Sequence, residues 1–401
     1  MYRILLSICF YLSLTTLIYA QKSYFKTGKT TSKNYYTEIE YENVRDKIII
    51  PVSINGKSYR FLFDTGAPNL VSKEILSSIN FKKSRSLSVT DANQKKQRMD
   101  LVSLPNLTIG NVTFKNTSAL VFNGKDNLVF DCFEVDGIIG SNLLRKSIVK
   151  INSKKQIIIL TNDVKKLTLK KEHASKLTLV GNQSSPYIYI KLKGEHSGNE
   201  NLLLDTGASG FYDLSKNNYK VLQEKKIVEV ISKANGSSSV GMFGVAEKSE
   251  QYRLKIPELI INNQVFQNVI TTTGDDNNSR IGSDILKYGN ITLDFVNKLF
   301  YLDVFETEND LNEKLYGFSP TIVNNKLTVG FVWEDTLKDQ IEFGDEIIEI
   351  DGVNFQNKEV CDFLVKPSVF GQKERLNVKI KNKTGEIVNI ILKKEYYGER
   401  N

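Results

Sequence analysis

"LLLDTGASG", residues 202–210, runs an apolar strand straight into Asp205, with Thr206 and Gly207 directly behind it. A carboxylate is costly to bury without partners. The same construction occurs earlier as "FLFDTGAPN", residues 61–69, where the strand ends at Asp64. Two copies call for one explanation, and the sequence around each supplies it.

The first copy closes "DKIIIPVSINGKSYRFLFDTGA", residues 46–67, which predicts a strand, an Asn55-Gly56 hairpin turn and a second strand ending at Asp64. The second closes "SPYIYIKLKGEHSGNENLLLDTGA", residues 185–208, with a strand, a longer turn and a strand ending at Asp205. Downstream, "DGIIGSNLLRKSIVKINSKKQIIIL" (136–160) answers "SRIGSDILKYGNITLDFVNKLFYLD" (279–303). Gly140 follows Asp64 by 76 positions and Gly282 follows Asp205 by 77. Alternating β patterns fill both intervals, "LPNLTIGNVTFKNTSALVF" and "IPELIINNQVFQNVITT". The pattern is a β-rich lobe present twice.

Each residue type in the repeated motif has a mechanical use. Gly66 and Gly207 let the chain turn sharply and approach the other lobe where a Cβ would intrude. The hydroxyls of Thr65 and Thr206 can donate and accept across the junction between lobes. Asp64 and Asp205 are left pointing into the cleft, and two carboxylates brought together across a pseudo-two-fold axis share one proton. The ionised member can then take a proton from water while the protonated member donates to a carbonyl.

The paired DTGA motifs with "DGIIG" and "SRIGS" downstream resemble the aspartic proteases, specifically the retropepsin-like branch with two lobes fused in tandem. The resemblance runs from about residue 46 to residue 303. It implies an all-β bilobal fold of two retropepsin-like lobes, catalytic residues Asp64 and Asp205, and support from Thr65, Gly66, Thr206 and Gly207. Substrates would be extended polypeptides, held under hairpin flaps whose candidate tips are "TDANQKKQ" near Ala92 and "KANGSSS" near Gly236. Neither cofactor nor metal is implied. Ala67 and Ala208 stand where pepsin-type enzymes often place a hydroxyl residue, so the pair is expected to work at milder pH than a gastric enzyme. Pro68 removes a backbone donor that Ser209 keeps.

After Asp303 a polar junction, "FETENDLNEK", leads to "FGDEIIEIDG" (343–352), a Gly-Asp turn, an alternating strand and an Asp-Gly turn. This resembles a small α+β PDZ domain. By that resemblance Tyr316, Gly317 and Phe318 of "LYGF" form a loop that takes a peptide C-terminus, for binding or regulation. The lone tryptophan, Trp333, is expected to pack against this module's core rather than bind a ligand.

Arg3 ahead of an apolar run from Ile4 to Ile18, with Ala20 before Gln21, predicts a secretory signal peptide. The division expected is 1–20 signal, 21–45 extension, 46–162 first lobe, 163–185 linker, 186–304 second lobe and 305–396 PDZ-like domain. The expected location is periplasmic or secreted, in a bacterium, with no membrane span left after signal cleavage. Removing the signal removes Cys9, and the survivors Cys132 and Cys361 are read as separate thiols or small core residues. His173 and His196 are read as surface residues of the connecting region. The net charge of +8, from 54 basic and 46 acidic residues spread along the chain, does not form a polyanion groove, so no nucleic-acid partner is expected. A non-catalytic peptide-binding envelope protein using the same cleft is the alternative function.

Overall fold

A computed structural model describes residues 24–123 and 127–396. The signal-peptide expectation for residues 1–20 lies outside the described residues. Among the described residues, no helix is long and apolar enough to cross a membrane.

Alternation within the strands decides what each lobe buries. In the strand Lys57–Asp64, Phe61 and Phe63 point into the lobe's core while Leu62 and Asp64 face the other way. Burying each phenylalanine contributes roughly 1.5–3 kcal/mol. The preceding strand, Lys47–Ile54, pairs antiparallel with it through a turn in which Asn55 and Gly56 both have positive φ. That is the geometry a two-residue hairpin requires.

Six strands close the first lobe into a ring: Val112–Phe122, Leu70–Ser72, Gly137–Gly140, Lys57–Asp64, Lys47–Ile54 and Lys96–Ile109, which pairs back to Val112–Phe122. The second lobe closes in the same order with Gln264–Gly274, Tyr212–Ser215, Arg280–Ile281, Ser197–Leu204, Ser185–Lys193 and Ser249–Ile261. Even the parallel contacts match. Gly137–Gly140 runs parallel to Lys57–Asp64, and Arg280–Ile281 runs parallel to Ser197–Leu204.

A third sheet of six strands joins the lobes from beneath. Its central pair is Ile148–Asn152 from the first half and Gly289–Asp294 from the second, with Ile151 opposite Ile291. Outward from that pair lie Ile157–Thr161 and Tyr36–Glu40 on one side, and Leu299–Val304 and Ala174–Lys176 on the other. Residues of the N-terminal extension and of the connecting segment are thus woven into sheets. Lys29–Thr30 also pairs with Val112–Phe122. His173 in the connecting segment bonds Asp303 through Nδ1 at 2.7 Å, and His196 is exposed.

The C-terminal domain has its own sheet, ordered Phe318–Val323, Lys326–Val332, Glu346–Ile350, Arg375–Lys381 and Ile387–Lys393, and its own core. The turns flanking Glu346–Ile350 carry positive φ at Gly344 and at Asp351 and Gly352. Trp333 belongs to a separate small cluster at the edge of that core. It stacks on Phe331 beside Ala234 of the second lobe, and the Arg253 guanidinium of that lobe sits 4.6 Å over its ring. An indole offers a large apolar face and one donor, here given to Ser319 Oγ, which suits it to a domain boundary.

Reading Cys132 and Cys361 as separate residues is overturned. They form a disulfide between the helix Leu128–Cys132 of the first lobe and the helix Val360–Val365 of the C-terminal domain. The fold brings together two helices that the sequence separates by 229 positions.

Candidate active site

Asp64 ends its strand opposite Gly140 in the parallel register. Its Oδ1 accepts from the amides of Gly66 at 2.8 Å and Ala67 at 3.0 Å. Asp205 repeats the arrangement, its Oδ1 accepting from Gly207 at 3.0 Å and Ala208 at 3.1 Å. The two loops face each other across the lobe junction, and the Asp64 carboxyl hydrogen-bonds Asp205. The approach is close enough to dictate glycine in both loops. A Cβ on Gly66 would lie 2.5 Å from the Asp205 carboxyl carbon, and one on Gly207 would lie 2.2 Å from that of Asp64.

Beneath the carboxyls, Thr65 and Thr206 are bonded reciprocally. Each backbone amide donates to the other's hydroxyl at 3.1 Å, while Thr65 Oγ1 donates to the Leu204 carbonyl and Thr206 Oγ1 to the Phe63 carbonyl. Both threonines are buried, so each hydroxyl satisfies groups that water cannot reach.

The electrostatics of the two halves differ. Burial, followed by the charge and hydrogen bond of Asp205, pushes the Asp64 carboxyl up to about 8. The causes are desolvation and the neighbouring acid, both of which disfavour a second negative charge. Arg280 donates from Nη1 to Asp205 Oδ2 at 3.0 Å and from Nη2 to Asp276. Burial opposes the guanidinium's charge, yet Asp205, Asp276 and Asp213 outweigh it and hold Arg280 above its ordinary value. Lys47 crosses from the first lobe to the Gly207 carbonyl and Ser209 Oγ. Gln183 makes the matching contact on the other side, donating to the Gly66 carbonyl. Sequence reasoning missed Arg280, Lys47 and Gln183. Aligning the repeats position by position would have exposed Arg280, which stands where the first lobe has Ile138.

The hairpin of Lys82–Thr90 and Lys96–Ile109 turns at Asp91–Lys95, where the Ala92 candidate placed it. The second candidate is corrected. Gly236 lies in the stem of its hairpin, where a Cβ would lie 1.9 Å from the Gly330 carbonyl oxygen of the C-terminal domain. The tip comes later, between the short paired strands Val240–Gly241 and Gly244–Val245, at Met242 and Phe243. The two hairpins are bonded to each other. Phe243 N donates to Asp91 Oδ2 and Asn93 Nδ2 donates to the Gly244 carbonyl. Met242 and Phe243 pack on a first-lobe cluster that includes Leu62, Phe130 and Ile138.

In the C-terminal domain, Tyr316 and Phe318 place their side chains in the core, and the Gly317 carbonyl accepts from the amides of Trp333 and Glu334. Leu315, at the start of that loop, exchanges backbone hydrogen bonds with Glu395. Among the described residues, no group of three or more His, Cys, Asp or Glu side chains is arranged to hold a metal ion.

Residues 50–143, which contain Asp64 and Gly140, match a family model described as aspartyl protease. No curated protein matches the chain. Among solved structures, the chain is similar to an aspartic proteinase from Irpex lacteus at 14% identity and a TM-score of 0.43, over 67% of this chain and 97% of that one. It is also similar to conglutin gamma, a basic 7S globulin from lupine seeds, at 12% identity and a TM-score of 0.41, over 68% of this chain and 95% of that one.

Proposed function

We propose that this protein is an exported aspartic endopeptidase that cleaves extended polypeptides with water activated between Asp64 and Asp205. The family match over residues 50–143 supports a protease. One observation carries the catalytic assignment: two carboxyls, each held by two amides of its own loop, face each other so closely that a Cβ on either loop glycine would strike the opposite carboxyl. Such a pair holds both a base and an acid at one pH. The carboxylate takes a proton from the attacking water, and the protonated partner donates to the scissile carbonyl oxygen. The resulting gem-diol collapses to acid and amine without a covalent intermediate.

Substrate would lie as a strand between the lobes, under the hairpins that now touch through Asp91 and Phe243. The apolar stretch Ile4–Ile18 and the Cys132–Cys361 disulfide both favour an oxidising compartment outside the cytosol. We assign the C-terminal PDZ-like domain a bracing role, since it holds the first lobe by that disulfide and the second through Arg253 and Trp333.

The deciding experiment compares wild type with Asp64→Asn and Asp205→Asn on a peptide library across pH, with a statine inhibitor as control. Cleavage is expected to vanish in both variants while peptide binding survives. Turnover that persists in either variant would remove the dyad from the chemistry.

A further inference from the structure

The six ring strands of the two lobes match in order, and one difference in charge between them lies beside the dyad. In the first lobe, Ile138 pairs with Leu62, two residues before Asp64, and on its other side with Leu70. In the second lobe the same positions hold Arg280, paired with Leu203, two residues before Asp205, and with Asp213. An apolar neighbourhood has become an ionic one. Stability alone does not favour that exchange, because a buried ion pair replaced by well-packed apolar residues is often neutral or better. The first lobe shows the apolar solution in the same sheet position.

Arg280 is nearly buried, with 11% of its side chain exposed against 9% for Asp205. The acids facing it are Asp205, Asp276 and Asp213, and Tyr187 lies within its field. Asp205 faces Asp64 from the first lobe, Arg280 and Asp213 from its own lobe, and Lys47 from across the junction. Lys47 in turn faces Asp64, Asp46 and Asp213 as well. Both cations therefore serve the Asp205 loop, whereas the corresponding carbonyl of the Asp64 loop, that of Gly66, takes the neutral amide of Gln183.

We propose that Arg280 is a positioning residue that polarises the dyad, fixing the negative charge on Asp205 and leaving the shared proton on Asp64. Asp205 is then the base toward water and Asp64 the acid toward the carbonyl. The assignment builds on the endopeptidase function proposed above. A symmetric pair could place its proton on either member.

The test uses the full chain with Arg280→Ile, the residue of the first lobe, Arg280→Gln as a neutral alternative should the isoleucine variant not fold, and Arg280→Lys. The pH dependence of kcat/KM for peptide cleavage and the 13C-carboxyl titration of the two aspartates are both measured. Removing the cation lets the pair hold its protons to higher pH, so both limbs of the profile should move upward, the acidic limb by about 1–3 pH units. Lysine, which keeps the charge, should restore most of the shift.

Limbs that stay in place while the plateau rate drops would make Arg280 purely structural and overturn the proposal. So would limbs that move equally in the lysine and neutral variants, since geometry rather than charge would then be responsible. If wild type cleaves no peptide at any pH, the endopeptidase function fails, and the NMR titration still decides the role of Arg280. An upward shift of the carboxyl titration in the neutral variants supports polarisation, and an unchanged titration overturns it.

Discussion

Cys132 and Cys361 are bonded across 229 positions of sequence, and through them the C-terminal domain holds the first lobe while Arg253 under Trp333 holds it to the second. Leu364 and Val365, next to the disulfide, pack on the same cluster that receives Met242 and Phe243. The C-terminal domain and the second hairpin tip therefore share one apolar cluster of the first lobe.

Reducing that bond is expected to cost about 2–4 kcal/mol of stability. Urea unfolding with and without dithiothreitol, and of Cys132→Ser, should show midpoints lowered alike by reduction and by substitution. Two freely reactive thiols in the native, oxidised protein would refute the pairing.

Thr65→Val removes a hydroxyl that accepts from Thr206 N and donates to the Leu204 carbonyl, leaving both without that partner in a buried junction. Each such group costs about 1–3 kcal/mol. Thr206→Val should cost a similar amount for the mirrored reason. The two hydroxyls have no partner in common, so the double variant should lose about the sum of the singles. Thr65→Ser and Thr206→Ser keep the hydroxyl and should lose much less; equal losses in the serine and valine variants would argue against reciprocal bonding.

The raised Asp64 carboxyl has a sign that can be checked. Its folded value of about 8 lies above the ordinary 3.8, so the folded state binds more protons between those limits. Stability from this group is present at low pH and is lost as pH rises through that window. Asp64→Asn removes the dependence. The variant should gain on wild type in melting temperature as pH rises from about 4 to 8, and a constant difference across the range would contradict the assignment. Cleavage by wild type should correspondingly persist through neutral pH and decline as Asp64 ionises.

Phe243→Ala withdraws an aromatic side chain from the first-lobe cluster it packs on. Hydrogen exchange is expected to accelerate in residues 240–245 and 86–95 together, because the two hairpin tips are bonded to each other. Acceleration confined to residues 240–245 would show that the first-lobe hairpin is held independently.

Much of the site was legible because its signals are local. The Asn55-Gly56 turn, the alternation through Phe61 and Phe63, and the paired DTG segments each declare themselves within a few residues. The disulfide gave no such signal, since two cysteines carry no periodicity and their meeting depends on how a third domain docks. Arg280 was hidden inside a motif whose glycine drew attention away from its neighbour. The second hairpin tip was misplaced because a Gly- and Ser-rich stretch resembles a turn. The true tip is apolar, Met242 and Phe243, because it packs half-buried against the opposite lobe.

The pairing of Ile151 with Ile291 in the shared sheet bears on how the protein responds to dilution. Where a two-carboxyl centre is assembled from separate chains, mass action lets it fall apart as concentration drops. Here a main-chain ladder and an unbroken polypeptide keep both contributors at one fixed mutual concentration, so catalytic output per molecule should stay constant down to the lowest level an assay can detect.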